Sequence, residues 1–460
     1  MPTSPQLTAD SGDPPYGSPT ATLVAAVLGF FVITLDSLVV NVALPDIRDD
    51  LGGGITGLQW VIDGYTLMFA ALLLSAGSLS DRVGARRAFG TGMGVFVAAS
   101  AACGLAPNLA VLIGARLVQG GGAAMMMPAS LTLVREAYPD TVQRGRAIAW
   151  WTISGSVAAA AGPVLGGALS LVTWRMIFFI NLPVGLAALI LLSRAARSPR
   201  RDVPFDRTGQ IAAVLAMGGL TFGVIEAGAD GFRAPTVSVA LTLAVTAMAV
   251  FAVAQVRGKQ PMVPRELLRS RTVLIASGSG FAFLAGLTGT VFVYSLYLQQ
   301  HRGLTSLATG LVFLPMTALS ALLGVPTAWM AEKFGPRLPI VGGLFLMGTS
   351  LTVLAALPGA VPVWLLALVL IPVGCCGPLA MQPTTAVLLG HVPAERSGVA
   401  SGVFNTSRQI GGALAVAVFG ALLANQTDVL SGLRRSLLIA AALAFAAAGA
   451  NLFTSVSRRS

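Results

Sequence analysis

Along this 460-residue chain one pattern keeps returning: an apolar run of about 20 residues, then a short stretch rich in Arg, Asp or Pro. Each run is long enough to cross the hydrocarbon of a bilayer as a helix, at about 1.5 Å per residue. Hydrocarbon offers backbone N–H and C=O groups no water, so runs of this length are confined to helices that satisfy those groups internally. Cutting the chain at its Arg, Asp and Pro clusters predicts fourteen spans, near 21–45, 57–79, 88–106, 109–133, 146–170, 174–193, 208–228, 235–256, 272–298, 306–331, 337–357, 361–389, 397–424 and 435–456. The expected class is an all-α integral membrane protein. Composition agrees, with 55% hydrophobic residues and only 10% charged, where an ordinary globular protein carries about 25% charged.

The net charge of +11 would suggest nucleic acid in a soluble protein, but 27 of the 29 cations are Arg held in short loops between apolar runs. Clusters at Arg82–Arg87, Arg194–Arg207 and Arg257–Arg271 all fall on one side of the fourteen-span scheme, so the positive-inside rule predicts cytoplasmic termini. Residues 1–20 hold two Asp and no Lys or Arg, which reads as a disordered cytoplasmic tail and not a leader, and 457–460 reads as a second tail. Cys103, Cys375 and Cys376 all sit in apolar runs, and the adjacent pair cannot staple distant segments, so they read as packing residues. His301 and His391 are the only histidines, and no His-Glu-x-x-His, Gly-x-Ser-x-Gly or Walker-type loop occurs. No catalytic residue, metal or cofactor is therefore expected, and ATP is not the expected energy source.

Two internal matches share nearly one offset: "DRVGAR" (81–86) with "EKFGPR" (332–337), and Arg146–Gly162 with Arg396–Gly412. Duplication predicts an N-terminal six-helix bundle over 21–193 and a C-terminal one over 272–456. A linker at 194–271 would carry two extra spans. Paired halves of this kind place a substrate near the bilayer midplane between them and rock around it.

Five stretches then carry a resemblance. "GSLSDRVGARR" (Gly77 to Arg87), "RLVQGGGAA" (Arg116 to Ala124) and "GSVAAAAGPVLGG" (Gly155 to Gly167) are similar to the loop 2–3, fourth-span and fifth-span signatures of the major facilitator superfamily. "LDSLVVNVALPDI" (Leu35 to Ile47) and "WRMIFFINLPVG" (Trp174 to Gly185) are similar to signatures of its 14-span drug/proton antiporter branch. The resemblance implies two six-helix bundles related by a pseudo-two-fold axis plus two extra helices. It also implies export of hydrophobic or amphipathic small molecules in exchange for protons across a bacterial plasma membrane, with no obligate protein partner. Uptake of a small nutrient on the same fold is the alternative. In the loop signature Gly77, Asp81, Arg82, Gly84 and Arg86 are expected to form a cytoplasmic latch, Asp81 pairing with Arg135 or Arg144, and Glu332 and Gly335 are its second-half copy. In the fifth-span motif Gly155, Gly162, Gly166 and Gly167 allow close helix contact, and Pro163 removes a backbone donor and bends the helix.

A carboxylate at the centre of a span costs about 2.5 to 3.5 kcal/mol on insertion scales, so it is retained only where it faces protein or water. With the N-terminus inside, Asp36, Asp63 and Arg116 lie roughly 13, 9 and 10 Å from the outer ends of their spans. Two acids compete for one cation, which leaves one of them to exchange a proton. These three are the expected proton-coupling residues. Gln119 follows Arg116 on the same helix face, as Arg408 follows Asn405. Those residues, with Asn41, are expected to line the substrate cavity. Its wall would be adaptable Met and aromatic side chains, including Met126, Trp60, Tyr65, Trp151, Phe292 and Tyr294.

Overall fold

The computed structural model describes residues 17–200, 206–258, 262–392, 397–424 and 429–453. Most of the expected N-terminal tail, the 457–460 tail and Arg396 of the second repeat match lie outside the described residues. In order the helices are α1 (Pro19–Leu51), α2 (Gly54–Val83), α3 (Ala85–Gly104), α4 (Leu109–Ala137), α5 (Thr141–Ser170), α6 (Met176–Phe179), α7 (Asn181–Ser193), α8 (Arg207–Asp230) and α9 (Pro235–Arg257). They continue with α10 (Arg265–Arg269), α11 (Arg271–Leu296), α12 (Ser306–Leu322), α13 (Gly324–Phe334), α14 (Arg337–Ala356), α15 (Val363–Cys376), α16 (Gln382–Gly390), α17 (Ser397–Ala424) and α18 (Val429–Leu452). Short π-helical turns, Tyr297–His301 and Gly377–Met381, follow α11 and α15. No strand occurs among the described residues.

Local chemistry sets many of the starts. Ser18, Asn108, Asp140, Asp206, Ser270 and Thr305 each place a side-chain oxygen on a backbone N–H of the first turn, satisfying one of the donors a helix start leaves bare. Among the described residues, eleven helices are long and apolar enough to cross a membrane, or thirteen if two bent pairs each count as one span. The 20-residue α3 falls outside that count. The bent pairs are the two parts of α2 (62°) and α12 with α13 (50°), so the single run expected over 306–331 is broken. The first span also runs on to Leu51, past the expected end at 45, because α1 continues through Pro45.

Helices α1–α7 pack together as one bundle and α11–α18 as a second. The extra pair, α8 and α9, pack on each other, and α8 wedges against α2 and α17. The lipid-type face of α9 is bare, with Val239, Val245 and Val253 all more than half exposed. Between the bundles the large contacts are α2 on α17 and α5 on α12. Gly84 and Gly335, equivalent in the repeat, have φ of 89° and 84° and end α2 and α13 in the same way. That conformation strains any residue with a Cβ, which is why both copies of the turn carry glycine.

Candidate functional site

In the first bundle two of the in-span charges, Asp36 and Arg116, condense into one sealed cluster. Asp36 on α1 is fully buried and Arg116 on α4 is 1% exposed. Arg116 Nη1 donates to Asp36 Oδ2 and to Gln119 Oε1 (2.9 Å), while its Nε donates to the Val61 carbonyl (3.0 Å). The other carboxylate oxygen of Asp36 accepts from Gln119 Nε2 and from Asn181 Nδ2, both at 2.8 Å. Asn181 also donates to Ser100 Oγ (3.0 Å), which donates on to the Phe178 carbonyl (2.9 Å). The Tyr65 ring lies 4.4 Å from the guanidinium carbon, and its hydroxyl donates to the Ile33 carbonyl (3.2 Å). Four helices thus meet at one ion pair whose carboxylate oxygens are both bonded, the condition under which a buried pair is tolerated.

Asp63 is placed differently. It is fully buried on α2, two residues after the carbonyl that Arg116 uses, yet neither of its carboxylate oxygens has a hydrogen-bond partner among the described residues. The competition expected for Arg116 is won by Asp36, on whose carboxylate Gln119 and Asn181 place two further donors.

Several expected cavity residues are packing residues in this structure. Trp60 meets Phe222 of α8 at 5.9 Å, so it faces the extra helix pair. Met126 is fully buried among Phe89, Phe96 and Ala123 in the core of the first bundle, and Phe292 and Tyr294 are buried in the core of the second. Large apolar side chains at bundle interfaces are consumed by packing first, which helical spacing alone does not reveal. Tyr65 belongs to the ion cluster. Trp151 stacks on Phe30 (3.9 Å) and donates to Ser130 Oγ (3.1 Å), tying α5 to α1 and α4. Asn41 is buried and bonds back to its own helix at Ser37, leaving its Oδ1 without a partner among the described residues.

In the second bundle Arg408 on α17 is a cation with no carboxylate partner among the described residues. Its Nη1 donates weakly to Asn405 Oδ1 (3.4 Å), its Nε has no partner, and the Phe283 and Phe404 rings lie 5.6 and 5.7 Å from its guanidinium. Asn405 and Arg408 are both only partly buried, on a stretch of α17 (405–410) that is partly exposed throughout.

The halves meet closely at one end. Gln299 donates to the Val42 carbonyl (2.9 Å), and Ser306 Oγ lies 2.9 Å from both Asp46 Oδ2 and Gln299 Oε1. Gln59 on α2 donates to the Val416 and Ala417 carbonyls of α17 (3.1 and 2.7 Å). The fifth-span glycines make this contact possible. A Cβ on Gly167 would sit 2.5 Å from the Ser306 carbonyl oxygen and one on Gly166 2.6 Å from that of Val39, while Gly155 and Gly162 take Phe30 and Leu38 of α1. On the other side of the same contact, a Cβ on Gly310 would sit 2.2 Å from the Pro163 carbonyl oxygen.

The Arg-rich end differs. Asp81 makes no ion pair with Arg135 or Arg144 among the described residues, and the expected latch is not formed. Arg86 instead donates through Nη2 to the Ser193 carbonyl (2.8 Å), while Arg82 and Glu332 are exposed. Gly77 has open space where a Cβ would be, so it serves no close approach in this state. Gly84 and Gly335 do serve the turns described above.

Asn181 is the residue that sequence reasoning missed at the cluster. It lies inside "WRMIFFINLPVG", immediately after the break between α6 and α7, but an uncharged amide in an apolar run carries no signal of its partner. Asp46, Gln299, Ser306 and Gln59 were also missed, because each acts across the halves.

A sequence profile described as the Major Facilitator Superfamily matches residues 26–416. "Multidrug resistance protein Stp" of Mycobacterium tuberculosis is 37% identical over 409 residues, 88% of this chain and 75% of its own length. "Methylenomycin A resistance protein" of Streptomyces coelicolor is 35% identical over 443 residues, covering 95% of this chain and 92% of that protein. "Tetracenomycin C resistance and export protein" of Streptomyces glaucescens is 35% identical over 428 residues, 89% and 77% of the two chains. Among solved structures, a crystal structure of the peptide transporter POT in complex with sulfate superposes with a TM-score of 0.68 at 17% identity, over 94% of this chain and 93% of that one. That likeness is one of fold. With the profile running through both bundles and relatives above 30% identity spanning most of their own lengths, the chain belongs to the Major Facilitator Superfamily.

Proposed function

We propose that this chain exports hydrophobic or amphipathic small molecules in exchange for protons, by alternating access between its two bundles in a bacterial plasma membrane. The names of its relatives, which include resistance and export proteins, support efflux. In this reading both termini are cytoplasmic, the Gly167–Ser306 end faces outward and is shut, and the Arg-rich end faces the cytoplasm with its latch released.

The observation that supports proton coupling is the division between the two acids. Asp36 is held by a cation and two amides, whereas Asp63 is buried without a donor among the described residues. An ionised carboxylate is very costly in such a place, so a proton accompanies it. We assign Asp63 as the proton carrier and the Asp36–Arg116–Gln119 cluster as the framework that holds α1, α2 and α4 in register beside it. Arg408 and Asn405 on the partly exposed stretch of α17 are the polar groups assigned to the substrate path, where a cation without a carboxylate partner among the described residues offers a handle to an acceptor-bearing substrate.

The test is transport in proteoliposomes with an imposed pH gradient. Asp63→Asn keeps the side-chain shape, so the protein should insert and bind substrate but lose gradient-driven pumping. Normal pumping by Asp63→Asn would remove the assignment. Substrate accumulation moving in the same direction as protons would replace export by uptake on the same fold.

A further inference from the structure

A cavity of about 520 Å³ opens beside the α2–α3 turn, on the Arg-rich end of the first bundle. Four arginines line it, Arg86, Arg87, Arg197 and Arg200, and no acidic residue does among the described residues. Val83, Leu189 and Leu192 supply its apolar lining. The walls are anchored to one another. Arg86 N–H donates to Ser198 Oγ (3.0 Å), its guanidinium donates to the Ser193 carbonyl, and Ser18 N–H donates to the Arg194 carbonyl (2.9 Å). A Cβ on Gly84 would lie 3.0 Å from the Ser198 carbonyl oxygen, so the 194–200 segment is seated directly on the turn. Beside it, Glu136 already accepts from Ser198 Oγ at 2.5 Å.

Four like charges around one cavity repel each other, and Arg87, Arg197 and Arg200 have no ion-pair partner among the described residues. Such a site gains stability from an anion with several acceptor oxygens, which guanidinium forks bind well. The apolar wall narrows the choice. Leu189 adjoins Leu186 one turn back on α7, and Leu186 and Ile190 are 51% and 62% exposed on the outside of the bundle, while Leu192 belongs to the bundle core. A freely hydrated anion has no use for that wall, whereas a lipid presents a phosphate at the membrane surface and acyl chains directly beneath it. We propose that this cavity binds the headgroup of an anionic phospholipid, with its acyl chains lying along α7. Basic cavities at the ends of transmembrane helices are suited to such headgroups. Because the walls come from the first bundle and the turn that ends α2, occupancy would brace the turn that carries Asp81.

The experiment uses the full chain, delipidated in neutral detergent, with bound lipid counted by native mass spectrometry and the thermal midpoint followed in parallel. Cardiolipin and phosphatidylglycerol should be retained and should raise the midpoint; phosphatidylcholine should do neither. The triple variant Arg87→Gln/Arg197→Gln/Arg200→Gln should weaken anionic-lipid binding at least about tenfold, given a contribution of about 1 kcal/mol per cation near anionic lipid, while its lipid-free midpoint stays unchanged. A charge-matched triple, Arg257→Gln/Arg269→Gln/Arg271→Gln, should retain binding. Leu189→Trp, which fills the apolar wall and keeps every charge, should also weaken it. Equal loss in both triples would reduce the effect to general surface charge and overturn the site. Inorganic phosphate that stabilises as well as lipid does would make it a soluble-anion site and overturn the proposal equally, as would undiminished lipid binding in the cavity triple.

Discussion

Substituting Asp36 with Asn removes the negative charge from a carboxylate that accepts from Arg116, Gln119 and Asn181, and leaves Arg116, 1% exposed, with no anion beside it. Breaking a buried pair from one side typically costs about 3 to 5 kcal/mol, because the remaining charge stays buried and uncompensated. Arg116 retains the Val61 carbonyl and Gln119 Oε1 as acceptors, and the Tyr65 face at 4.4 Å, so the loss should fall toward the lower part of that range. Asn keeps a single acceptor oxygen: turned toward Gln119 and Asn181 it points its NH2 at Arg116, and turned toward Arg116 it points its NH2 at the two amides, so donors meet donors on one side either way. The assay is a double-mutant cycle on detergent-solubilised protein with Asp36→Asn, Arg116→Gln and the double variant, read by chemical denaturation and by expression in the membrane. Each single change should destabilise, and the double should recover at least about 1 kcal/mol relative to the sum, as directly interacting residues do. Transport should not return in the double, since the framework beside Asp63 is lost. Additive singles with no recovery would refute the argument that the pair organises the bundle.

Asn181→Leu removes one donor from Asp36 and one from Ser100 and should lower stability by about 1 to 3 kcal/mol in the same assay; an unchanged denaturation midpoint would show that the amide is dispensable. Gly167→Val places side-chain atoms where the Ser306 carbonyl and Leu307 Cα already lie, so it should hold the halves apart at that end. A cysteine introduced at Leu307 should then react faster with a membrane-impermeant thiol reagent, the native cysteines being buried. Asp46→Asn weakens the link through Ser306 to Gln299 and should shift the balance of states with little effect on overall stability, measured as the same thiol accessibility; equal accessibility in wild type and variant would discount Asp46 as a closing contact.

Much of the architecture is legible in the residues because its cause is local. A run of some 20 apolar residues must become a helix in lipid whatever surrounds it, and capping side chains such as Asn108 and Asp140 state where several helices begin. The glycines of the fifth-span motif announce a close contact, and Asp36, Asp63 and Arg116 stand out because charge in an apolar run needs a reason. Partnership is not local. Asp36 and Asp63 are equivalent by composition and similar in depth, and only the packing of α1, α4 and α7 decides that Asn181 and Gln119 complete one carboxylate while the other has no partner among the described residues. For the same reason Met126, Phe292 and Tyr294 read as a cavity wall and turn out to be core: helical periodicity gives the face a side chain is on, and the neighbouring helix decides whether that face meets lipid, substrate or another helix. Which end of the two bundles is shut is decided furthest from the sequence, because Asp46, Gln299 and Ser306 meet only when residues some 260 positions apart are brought together by the fold.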